Sequence, residues 1–522
     1  MHFQKVIPLF VSGVVFLFFS TAWATVSLPP VFGDNMVLQR DRDIPVWGAA
    51  SPREHIAVTL NGKAVKTTAG KDGRWEVRLE KLPAGGPYVM TATGTNTVTF
   101  RNVMIGEVWI CSGQSNMWLP IERLIGIESD IASADLPDIR LFTIWSPEHD
   151  AYGQKPEWVP CNPRTVLPFS AVGFFFGRKL YRELHIPVGL IHTSMGGSDP
   201  EAWMTRKTLA ADPEFRPILA FWDSVNAVFP LLKALYDKNL ASWEKQNPQG
   251  TVSAVKPEPP LGPGHRKYYM HDPENLWQAQ LAPLIPYGIR GVVWYQGESS
   301  ISRAWQYRRL FPAMIREWRQ AWKQGDFPFI FTQLANYKSG NTQVSIPELR
   351  EAQLMALSVP RTGMAVTIDL GDSNNVHANN KWDVGERLAL SALHVAYGKD
   401  NAWSGPLYRS MKKAGNKIRL TFTHAGGGLK IRGGGNLAGF TIAGKDRIFH
   451  PAEAVITGQE VEVWSDRVPA PVAVRYAWES NPPCTLYNAA GLPASPFRTD
   501  EDRKSTRLNS SHTRLSRMPS SA

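Results

Sequence analysis

Residues 107–117 read EVWICSGQSNM, and the pattern of this stretch indicates the fold class. Its apolar centre, VWIC, is typical of a strand that is buried on both faces. The polar residues GQSN follow directly and predict the end of the strand. The same pattern of a short apolar run recurs along the chain in IRLFTI (139–144), VGLIHTS (188–194), IRGVVWYQ (289–296), FPFIFTQL (327–334) and GMAVTID (363–369).

Helical periodicity separates several of these runs. Apolar residues recur at i, i+3 and i+4 within Ala171–Leu184, Ala304–Gln324 and Trp382–Val395. Buried strands that alternate with helices predict an α/β core, in which a parallel sheet is covered by helices on both faces. In such a sheet the functional crevice lies at the carboxyl ends of the strands.

The flanks of this core carry the alternating apolar and polar pattern of antiparallel strands. Examples are IAVTLNG (56–62) and GRWEVRLE (73–80) before the core, and KIRLTFTH (417–424) and VAVRYAWE (472–479) after it. We predict an N-terminal β-sandwich-like domain over 25–104, the α/β domain over 105–400 and a β-rich region over 401–500.

The first 24 residues are predicted to be a secretory signal peptide. Lys5 supplies the basic start, an apolar stretch follows, and Ala22-Trp23-Ala24 is a small-x-small cleavage site before Thr25. An N-terminal membrane anchor is the alternative, but the apolar stretch is near the lower limit of about 17–25 residues that a span requires. The expected location is therefore periplasmic or extracellular, with no membrane segment after cleavage.

Residues 502–522, DRKSTRLNSSHTRLSRMPSSA, have neither hydrophobic periodicity nor turn signals. A disordered basic tail is one interpretation. Back-translation instead gives strings that resemble a common short-read sequencing adapter, so we predict that the tail is not native. It holds five Lys or Arg against one Asp, and without it and the signal peptide the formal net charge falls from +11 to +6. No nucleic-acid partner is expected for so modest a charge.

The three cysteines, Cys111, Cys161 and Cys484, are too few and too scattered for a disulfide framework, although one bridge remains possible. They also lack the spacing of metal ligands, and we expect no metal site.

Four segments place polar residues just beyond an apolar strand. In the first, Ser115 lies in a strand-to-helix turn, where a serine can act as a nucleophile or simply cap the helix. The turn is not a G-x-S-x-G elbow, because Met117 occupies the position of the second glycine. In the second, Gly196-Gly197 leaves backbone N–H groups that could bind an oxyanion, or forms an ordinary turn.

The third and fourth segments supply further polar groups. Gln296 could donate an amide hydrogen to an oxyanion. Glu298 could hold the site or a substrate hydroxyl, or cap loop amides. His377 lies in a polar loop between a strand and a helix, where it could be the general base of a serine hydrolase or merely an exposed histidine.

Together the four blocks resemble the sialate O-acetylesterases, carbohydrate esterases of the SGNH hydrolase superfamily. The blocks are GQSNM (113–117), SMGGSDPEAW (194–203), WYQGES (294–299) and the DLGD–NNVH–NNK run (369–381). The resemblance extends from Leu28 to Asp500 and includes PPVFGDNMVLQR (29–40) and LYNAAGLPASPFRTD (486–500).

The resemblance implies a three-layer αβα, flavodoxin-like core and hydrolysis of O-acetyl esters without a cofactor. It implies that Ser115 is the nucleophile and His377 the base, with Ser115 N–H, Gly197 N–H and the Gln296 side chain as oxyanion donors. The supporting residues expected around them are Asn116, Glu201, Glu298 and Asn375.

The sequence departs from the family pattern at the acid that orients the histidine. Many relatives have aspartate two residues before the histidine and proline after it, whereas this chain has Asn375 and Ala378. The SGNH position three residues before the histidine is Asn374. Asp372 is then the nearest preceding acid, and the alternative is a Ser-His dyad whose ring is held by a backbone carbonyl or Asn375.

The expected substrate is an acetylated sugar, either sialic acid or an acetylated plant oligosaccharide. Two other functions remain open from the sequence. One is a non-catalytic sugar-binding relative, which the substitutions before His377 would allow. The other is a glycoside hydrolase with two carboxylates, Glu298 with Asp369 or Asp372, although it leaves Ser115 and the Gly-Gly loop unexplained.

Overall fold

The computed structural model describes residues 25–144, 156–247, 255–338 and 346–500. The predicted signal peptide and the predicted non-native tail both lie outside these residues. Within them, the chain forms a mixed α/β structure with several β-sheets.

The strands before and within the core are β1 (Val37–Gln39), β2 (Ile44–Ala49), β3 (His55–Leu60), β4 (Lys63–Thr68), β5 (Arg74–Leu79), β6 (Gly85–Thr93), β7 (Thr97–Gly113), β8 (Leu136–Thr143), β9 (Trp158–Cys161), β10 (Val188–Ser194), β11 (Gly291–Tyr295), β12 (Phe329–Gln333) and β13 (Thr362–Val366). The strands after the core are β14 (Leu407–Ala414), β15 (Lys417–Thr423), β16 (Leu429–Ile431), β17 (Phe440–Ala443), β18 (Phe449–Pro451), β19 (Glu453–Thr457), β20 (Glu460–Trp464), β21 (Ala473–Tyr476), β22 (Leu486–Asn488) and β23 (Phe497–Arg498).

The described α-helices are α1 (Ser115–Trp118), α2 (Glu128–Ala132), α3 (Ala171–Leu184), α4 (Arg206–Ala210), α5 (Arg216–Gln246), α6 (Arg266–His271), α7 (Ala304–Trp322), α8 (Ile346–Met355) and α9 (Trp382–Tyr397). Short 3-10 turns include Ile121–Arg123, Pro200–Trp203 and Glu298–Arg303. The three helices predicted from periodicity are confirmed as α3, α7 and α9.

The central sheet has the strand order β13-β12-β11-β7-β10-β8-β9. Neighbours from β13 to β8 run parallel, as predicted, whereas β9 at the edge pairs antiparallel with β8. The sheet is therefore mixed rather than purely parallel. Strand β7 lies between β10 on one side and β11 on the other, so the chain switches direction across the sheet at β7. Ligand crevices of open α/β sheets form at such a switch point.

Strand β7 also continues into the N-terminal β region. Its first part pairs with β6 and β1, and its second part, from Glu107 onward, pairs with β10 and β11. The predicted domain boundary between 104 and 105 thus falls inside one continuous strand. The N-terminal β region and the α/β core are therefore joined through the backbone hydrogen bonds of β7.

Helices cover the two faces of the central sheet. Cys111 of β7 lies against Gly173 of α3, and α3 packs against α9. Trp294 of β11 is in register with Ser112, the neighbour of Cys111, so strand alternation directs it to the opposite face. There its ring packs against Trp318 of α7, with ring centroids 5.7 Å apart.

The C-terminal strands form separate antiparallel sheets that are bonded to the core by polar side chains. The sheets have the orders β14-β15-β20-β19, β16-β22 and β18-β17-β21-β23. Arg350 of α8 donates to the carbonyl oxygens of Glu479 and Ser480, at 2.8 and 2.9 Å. Asp369, just after β13, pairs with Arg432 at 2.9 Å.

All three cysteines lie in the described part of the chain, and each carries a free thiol. The one disulfide that the sequence left possible is therefore not formed.

One described helical stretch, Pro213–Gln246, is long and apolar enough to cross a membrane by length and composition, contrary to the sequence-based expectation that no later segment is. Only Ile218 and Trp222 of α5 are buried. A single helix of this kind also occurs in proteins without membrane spans, so it assigns no membrane crossing.

Candidate functional site

The site forms where three neighbouring strands end together. Gly113 of β7 is in register with Ser194 of β10 on one side and with Tyr295 of β11 on the other. Because the carboxyl ends of parallel strands meet at the same sheet edge, the loops that follow them meet as well. These loops carry the three predicted oxyanion donors, Ser115, Gly197 and Gln296.

Gly113 allows the tight turn that presents Ser115. Its φ of +141° lies in a region that residues with a side chain rarely adopt, and an added Cβ would lie 2.1 Å from the carbonyl oxygen of Tyr295. The next residue, Gln114, donates its backbone N–H to that same oxygen at 2.9 Å. The turn is thereby pinned to β11, and Ser115 follows as the first residue of α1.

Ser115 and His377 are brought together from positions 262 residues apart. Nε2 of His377 lies 2.8 Å from Oγ of Ser115, within hydrogen-bond distance. Both side chains are half-buried. Burial, followed by the positive charges of Lys381 and Arg123, lowers the pKa of His377 below its ordinary value. The imidazole is therefore neutral near pH 7, and its Nε2 can accept the Ser115 proton.

The structure does not bring Asp372 to this imidazole. The carboxylate of Asp372 is exposed and turns back on its own loop, where it accepts the backbone N–H of Asn374 at 2.8 Å. Asn375 accepts the backbone N–H of His377 at 2.9 Å, so it holds the main chain of the loop rather than the ring. Across residues 25–144, 156–247, 255–338 and 346–500, no carboxylate bonds to the His377 ring, and the geometry favours a Ser-His dyad.

Asn116 connects the Ser115 segment to the loop of His377. Its Nδ2 donates to Oε1 of Glu298 at 2.5 Å and to the carbonyl oxygen of Val376 at 3.1 Å. Its Oδ1 accepts from Nζ of Lys381 at 2.8 Å. The predicted supporting residues Asn116 and Glu298 therefore contact each other, and Lys381 joins them although the sequence did not single it out.

Burial shifts the ionisation of both charged members of this group. It raises the pKa of Glu298, which the hydrogen bond from Asn116 and the charge of Lys381 only partly offset. It lowers the pKa of Lys381 to about 8, with the charge of Glu298 acting in the opposite direction. Such perturbed groups at the end of a parallel sheet are typical of functional sites.

The three predicted oxyanion donors differ in how far they are engaged. Among the described residues, neither Ser115 N–H nor Gly197 N–H has a hydrogen-bond acceptor. The Gln296 amide is buried beside the Gly197 loop, and it already donates to Ser198 O at 3.2 Å and Ser299 Oγ at 3.0 Å. The two backbone groups are thus available to a substrate oxygen, and the side-chain amide is occupied.

Glu201 belongs to a buried ionic cluster behind the Gly197 loop. Its Oε1 pairs with Arg303 at 2.8 Å, and Arg303 also reaches Asp199 at 3.2 Å. Asp199 in turn lies 2.9 Å from Nδ1 of His271. This cluster joins the segment after β10 to the 3-10 turn after Gln296. Glu201 therefore supports these loops and does not contact the Ser115–His377 pair.

Asp369, a candidate acid in the glycoside hydrolase alternative, is fully occupied. Arg387 binds it through two bonds of 2.6 and 2.9 Å, and Arg432 and Tyr487 add one each. Burial would raise its pKa, but the Arg387 and Tyr487 contacts outweigh burial and lower it. A carboxylate so held is suited to joining the core to the C-terminal region rather than to acid catalysis.

Within the described residues, no three His, Cys, Asp or Glu side chains converge as the ligands of a metal ion would.

Comparison with known proteins matches this chain to carbohydrate acetylesterases along most of its length. Mouse (Mus musculus) sialate O-acetylesterase is 31% identical, over 89% of this chain and 92% of its own. The human (Homo sapiens) enzyme is 28% identical, over 89% and 90%. The chain belongs to the sialate O-acetylesterase family.

Two further matches agree with this family of carbohydrate O-acetylesterases. The family model for "Carbohydrate esterase, sialic acid-specific acetylesterase" matches residues 267–394, which include Gln296 and His377. The crystal structure of a carbohydrate acetylesterase from Xanthomonas citri is 36% identical and covers 92% of this chain and 100% of its own, with a TM-score of 0.78. The family expected from the four sequence blocks is thus confirmed, together with the mixed α/β fold.

Three residues at or beside the site were missed by sequence reasoning: Lys381, Arg303 and Asn379. Asn379 makes two hydrogen bonds with the backbone of Ile125, at 2.8 and 2.9 Å. These bonds attach the His377 loop to the segment after α1. Lys381 and Asn379 lie in the polar NNK stretch next to His377, and only that adjacency could have suggested them. Nothing local marks their partners, which lie far away in sequence.

Proposed function

We propose that this chain hydrolyses O-acetyl esters on carbohydrates through an acetyl-enzyme on Ser115, with His377 as the general base. The observation that carries the proposal is the 2.8 Å contact between Ser115 Oγ and His377 Nε2 at the carboxyl end of the sheet. Membership of the sialate O-acetylesterase family supports the same chemistry.

In the first half-reaction, Ser115 Oγ attacks the acetyl carbonyl carbon while its proton passes to Nε2 of His377. The carbonyl oxygen becomes an oxyanion, and the unengaged N–H groups of Ser115 and Gly197 are the donors available to it. The bond from carbon to the sugar oxygen then breaks. The leaving sugar oxygen takes the proton from Nε2, and the acetyl group stays on Ser115.

In the second half-reaction, water replaces the sugar. His377 accepts a proton from the water as its oxygen attacks the acetyl-enzyme, and the same two backbone donors face the oxyanion. Collapse releases acetic acid and returns the proton to Ser115 Oγ. One ester and one water thus yield one sugar hydroxyl and one acetate.

We also propose that the core is the three-layer αβα arrangement of SGNH hydrolases. With β8 and β9, the two strands at one side of the sheet, left out, the strands β10-β7-β11-β12-β13 counted in chain order have the order 2-1-3-4-5 that flavodoxin-like folds show. The packing of α3 and α7 against opposite faces supports the same arrangement. A crystal structure of this chain tests it directly.

The proposed substrate is an acetylated sugar, either a sialic acid or an acetylated plant oligosaccharide. The names of the relatives, sialate O-acetylesterase and carbohydrate acetylesterase, support the acetyl sugar as the common feature. Comparing acetate release from 9-O-acetyl sialic acid and from acetylated xylo-oligosaccharides at equal concentration separates the two substrates.

We also propose that the protein is exported to the periplasm or the extracellular space. The predicted signal peptide at residues 1–24 supports export. Expression of the full gene followed by N-terminal sequencing should give a mature chain that begins at Thr25.

The decisive experiment compares the wild type with Ser115→Ala on p-nitrophenyl acetate and on an acetylated sugar. Removal of the nucleophile should lower kcat by about 10⁴-fold or more on both substrates. Ser129→Ala, an exposed serine on α2, is the matched control and should keep wild-type activity. Equal activity of wild type and Ser115→Ala would overturn the serine mechanism, and no activity in either would favour a non-catalytic sugar-binding function.

A further inference from the structure

Lys381 is a buried charged group at the site that the proposed chemistry does not use. Its side chain is 1% exposed, and it lies four residues after His377, directly before α9. Moving an ammonium group out of water costs several kcal/mol unless other groups bond to it. The partners of Lys381 therefore indicate what its burial achieves.

The ammonium group contacts three elements of the site. Nζ donates to Oδ1 of Asn116 in the Ser115 segment at 2.8 Å, and to the carbonyl oxygen of Ala378 in the His377 loop at 2.6 Å. It also lies 5.9 Å from the ring centroid of Tyr295 at the end of β11, within cation–π distance. One charge thus joins the nucleophile segment, the base loop and the strand between them.

The two residues on either side of His377 are both held by this arrangement. Lys381 binds the carbonyl oxygen of Ala378 directly, and Asn116 binds the carbonyl oxygen of Val376 at 3.1 Å. Because Asn116 itself accepts from Lys381, the orientation of its amide depends on Lys381. Glu298 accepts from the same Asn116 Nδ2 and completes the set.

We propose that Lys381 is a positioning residue, which fixes His377 against Ser115 through Asn116 and the loop backbone and takes the place of an orienting acid. The inference rests on the proposed roles of Ser115 and His377. A carboxylate in a triad holds the imidazole by its ring, whereas here the main chain on both sides of the histidine is held instead. Among the described residues no carboxylate bonds to the imidazole ring, which agrees with a histidine held through its main chain instead of its ring.

The charge of Lys381 also acts on His377. Burial is the largest cause of the lowered pKa of the imidazole, and the positive charges of Lys381 and Arg123 are the next largest. Two carboxylates of the described chain lie near this loop: Glu298, which lies beyond Asn116, and Asp372, which is exposed on the same loop. Removing the Lys381 cation should therefore raise the pKa of His377 and move the acid limb of kcat/KM to higher pH.

The test is Lys381→Met, which keeps the length of the side chain but removes its charge and donors. With p-nitrophenyl acetate we expect kcat to fall about 10- to 100-fold, as for a displacement of about 1 Å at the reacting atoms, with KM within about 2-fold. The acid limb should shift upward. Lys399→Met, an exposed lysine just beyond the other end of α9, is the matched control and should change neither quantity.

Lys381→Gln separates bonding from charge, because it keeps an N–H donor but is neutral. It should show the same upward shift of the acid limb with a smaller loss of kcat. If Lys381→Met does not fold, Lys381→Gln replaces it in the same assay. A fall in kcat with KM within about 2-fold in a folded variant supports the proposal, and a kcat equal to that of wild type contradicts it even if the acid limb shifts, because the Lys381 charge would act on the imidazole without positioning it. Failure of the proposed function is seen separately, as activity that survives Ser115→Ala.

Discussion

At the scale of single residues, the site depends on how each polar group is satisfied. His377 gains a hydroxyl partner at Nε2 and a lowered pKa, both of which suit a base that works near neutral pH. Asp372 has the carboxylate that an orienting acid needs, but this carboxylate lies at the surface and accepts the backbone N–H of Asn374. Residue type alone therefore does not define a triad, because the direction of the side chain decides which proton it can hold.

Asp372→Asn tests the dyad. Since Asp372 does not reach the imidazole, we expect kcat to stay within about 2-fold of wild type on p-nitrophenyl acetate. If Asp372 were the orienting acid, the same change should lower kcat by about 10⁴-fold, because the imidazole would lose its tautomer and its counter-charge. His377→Ala serves as the inactive reference in the same assay.

The pH profile tests the state of His377. A general base works only when it is neutral, so kcat/KM should fall as the pH drops through its pKa. Burial and the nearby cations lower this pKa below the ordinary value of about 6.5. We therefore expect constant kcat/KM at neutral pH and an acid limb centred below 6.5. A limb centred above that value would show that a nearby carboxylate stabilises the imidazolium.

At the scale of elements, β7 organises the site because it lies at the switch point of the sheet. Its last residue is in register with the ends of β10 and β11, so three loops meet without any of them having to be long. The polar residues lie in those loops and the strands behind them are fully buried. The site is accordingly built on rigid elements, which suits a reaction that needs fixed donors.

Gly113→Ala tests the turn at the end of β7. The added methyl would lie 2.1 Å from the Tyr295 carbonyl oxygen, and the φ of +141° alone costs about 1–3 kcal/mol for alanine. We expect a lower melting temperature and at least a 10-fold loss of kcat, because relief of the clash displaces Ser115.

The control for this prediction is Gly398→Ala. Gly398 follows α9 with a φ of +65°, and an added Cβ there would meet no atom within 4 Å. It should therefore lower stability through its backbone conformation but leave kcat unchanged. Equal kcat values for the two variants would contradict the importance of the Gly113 turn.

At the scale of the whole molecule, buried polar side chains bind the flanking β regions to the core. Glu107 in the middle of β7 accepts from Arg40 of the N-terminal region at 2.5 Å and from Arg290 of the core at 2.5 and 2.8 Å. Arg350 joins the C-terminal region to the core as a donor. Besides its bonds to the C-terminal carbonyl oxygens, its Nε and Nη2 donate to core carbonyl oxygens at 2.8 and 2.7 Å. Burial lowers the pKa of Arg350 to about 9.

Arg350→Met tests this connection. The side chain is fully buried, and its loss would leave the carbonyl oxygens of Leu334, Ala335 and Glu479 without a donor, at a cost of about 1–3 kcal/mol for each group that stays unsatisfied. Ser480 O would keep the backbone N–H of Tyr337 at 3.1 Å. We expect a loss of several kcal/mol in the free energy of unfolding and earlier protease cleavage near residue 401.

Arg409→Met, an exposed arginine of β14, is the matched control. As a surface change it should alter the free energy of unfolding by no more than about 0.5 kcal/mol. Equal protease resistance of both variants would show that other contacts hold the C-terminal region.

The sequence by itself determined the elements and most of the participants. Apolar periodicity placed α3, α7, α9 and the buried strands, because burial on one or both faces leaves a local record in the chain. The polar residues after those strands identified Ser115 and His377, since strand ends point to one sheet edge. Such signals are local, and they survive in the order of residues alone.

The tertiary structure decided which groups are actually bonded. In the folded chain Asp372 does not reach the general base, and the Gln296 amide already donates to Ser299 Oγ. Lys381 donates to both Asn116 and Ala378. Each of these outcomes depends on partners brought from distant segments or on the direction of one side chain. Such contacts leave no periodic or compositional pattern in the sequence. The hydrogen bond between Asn116 and Lys381, which are 265 positions apart, is set by the packing of the whole sheet and not by the neighbours of either residue.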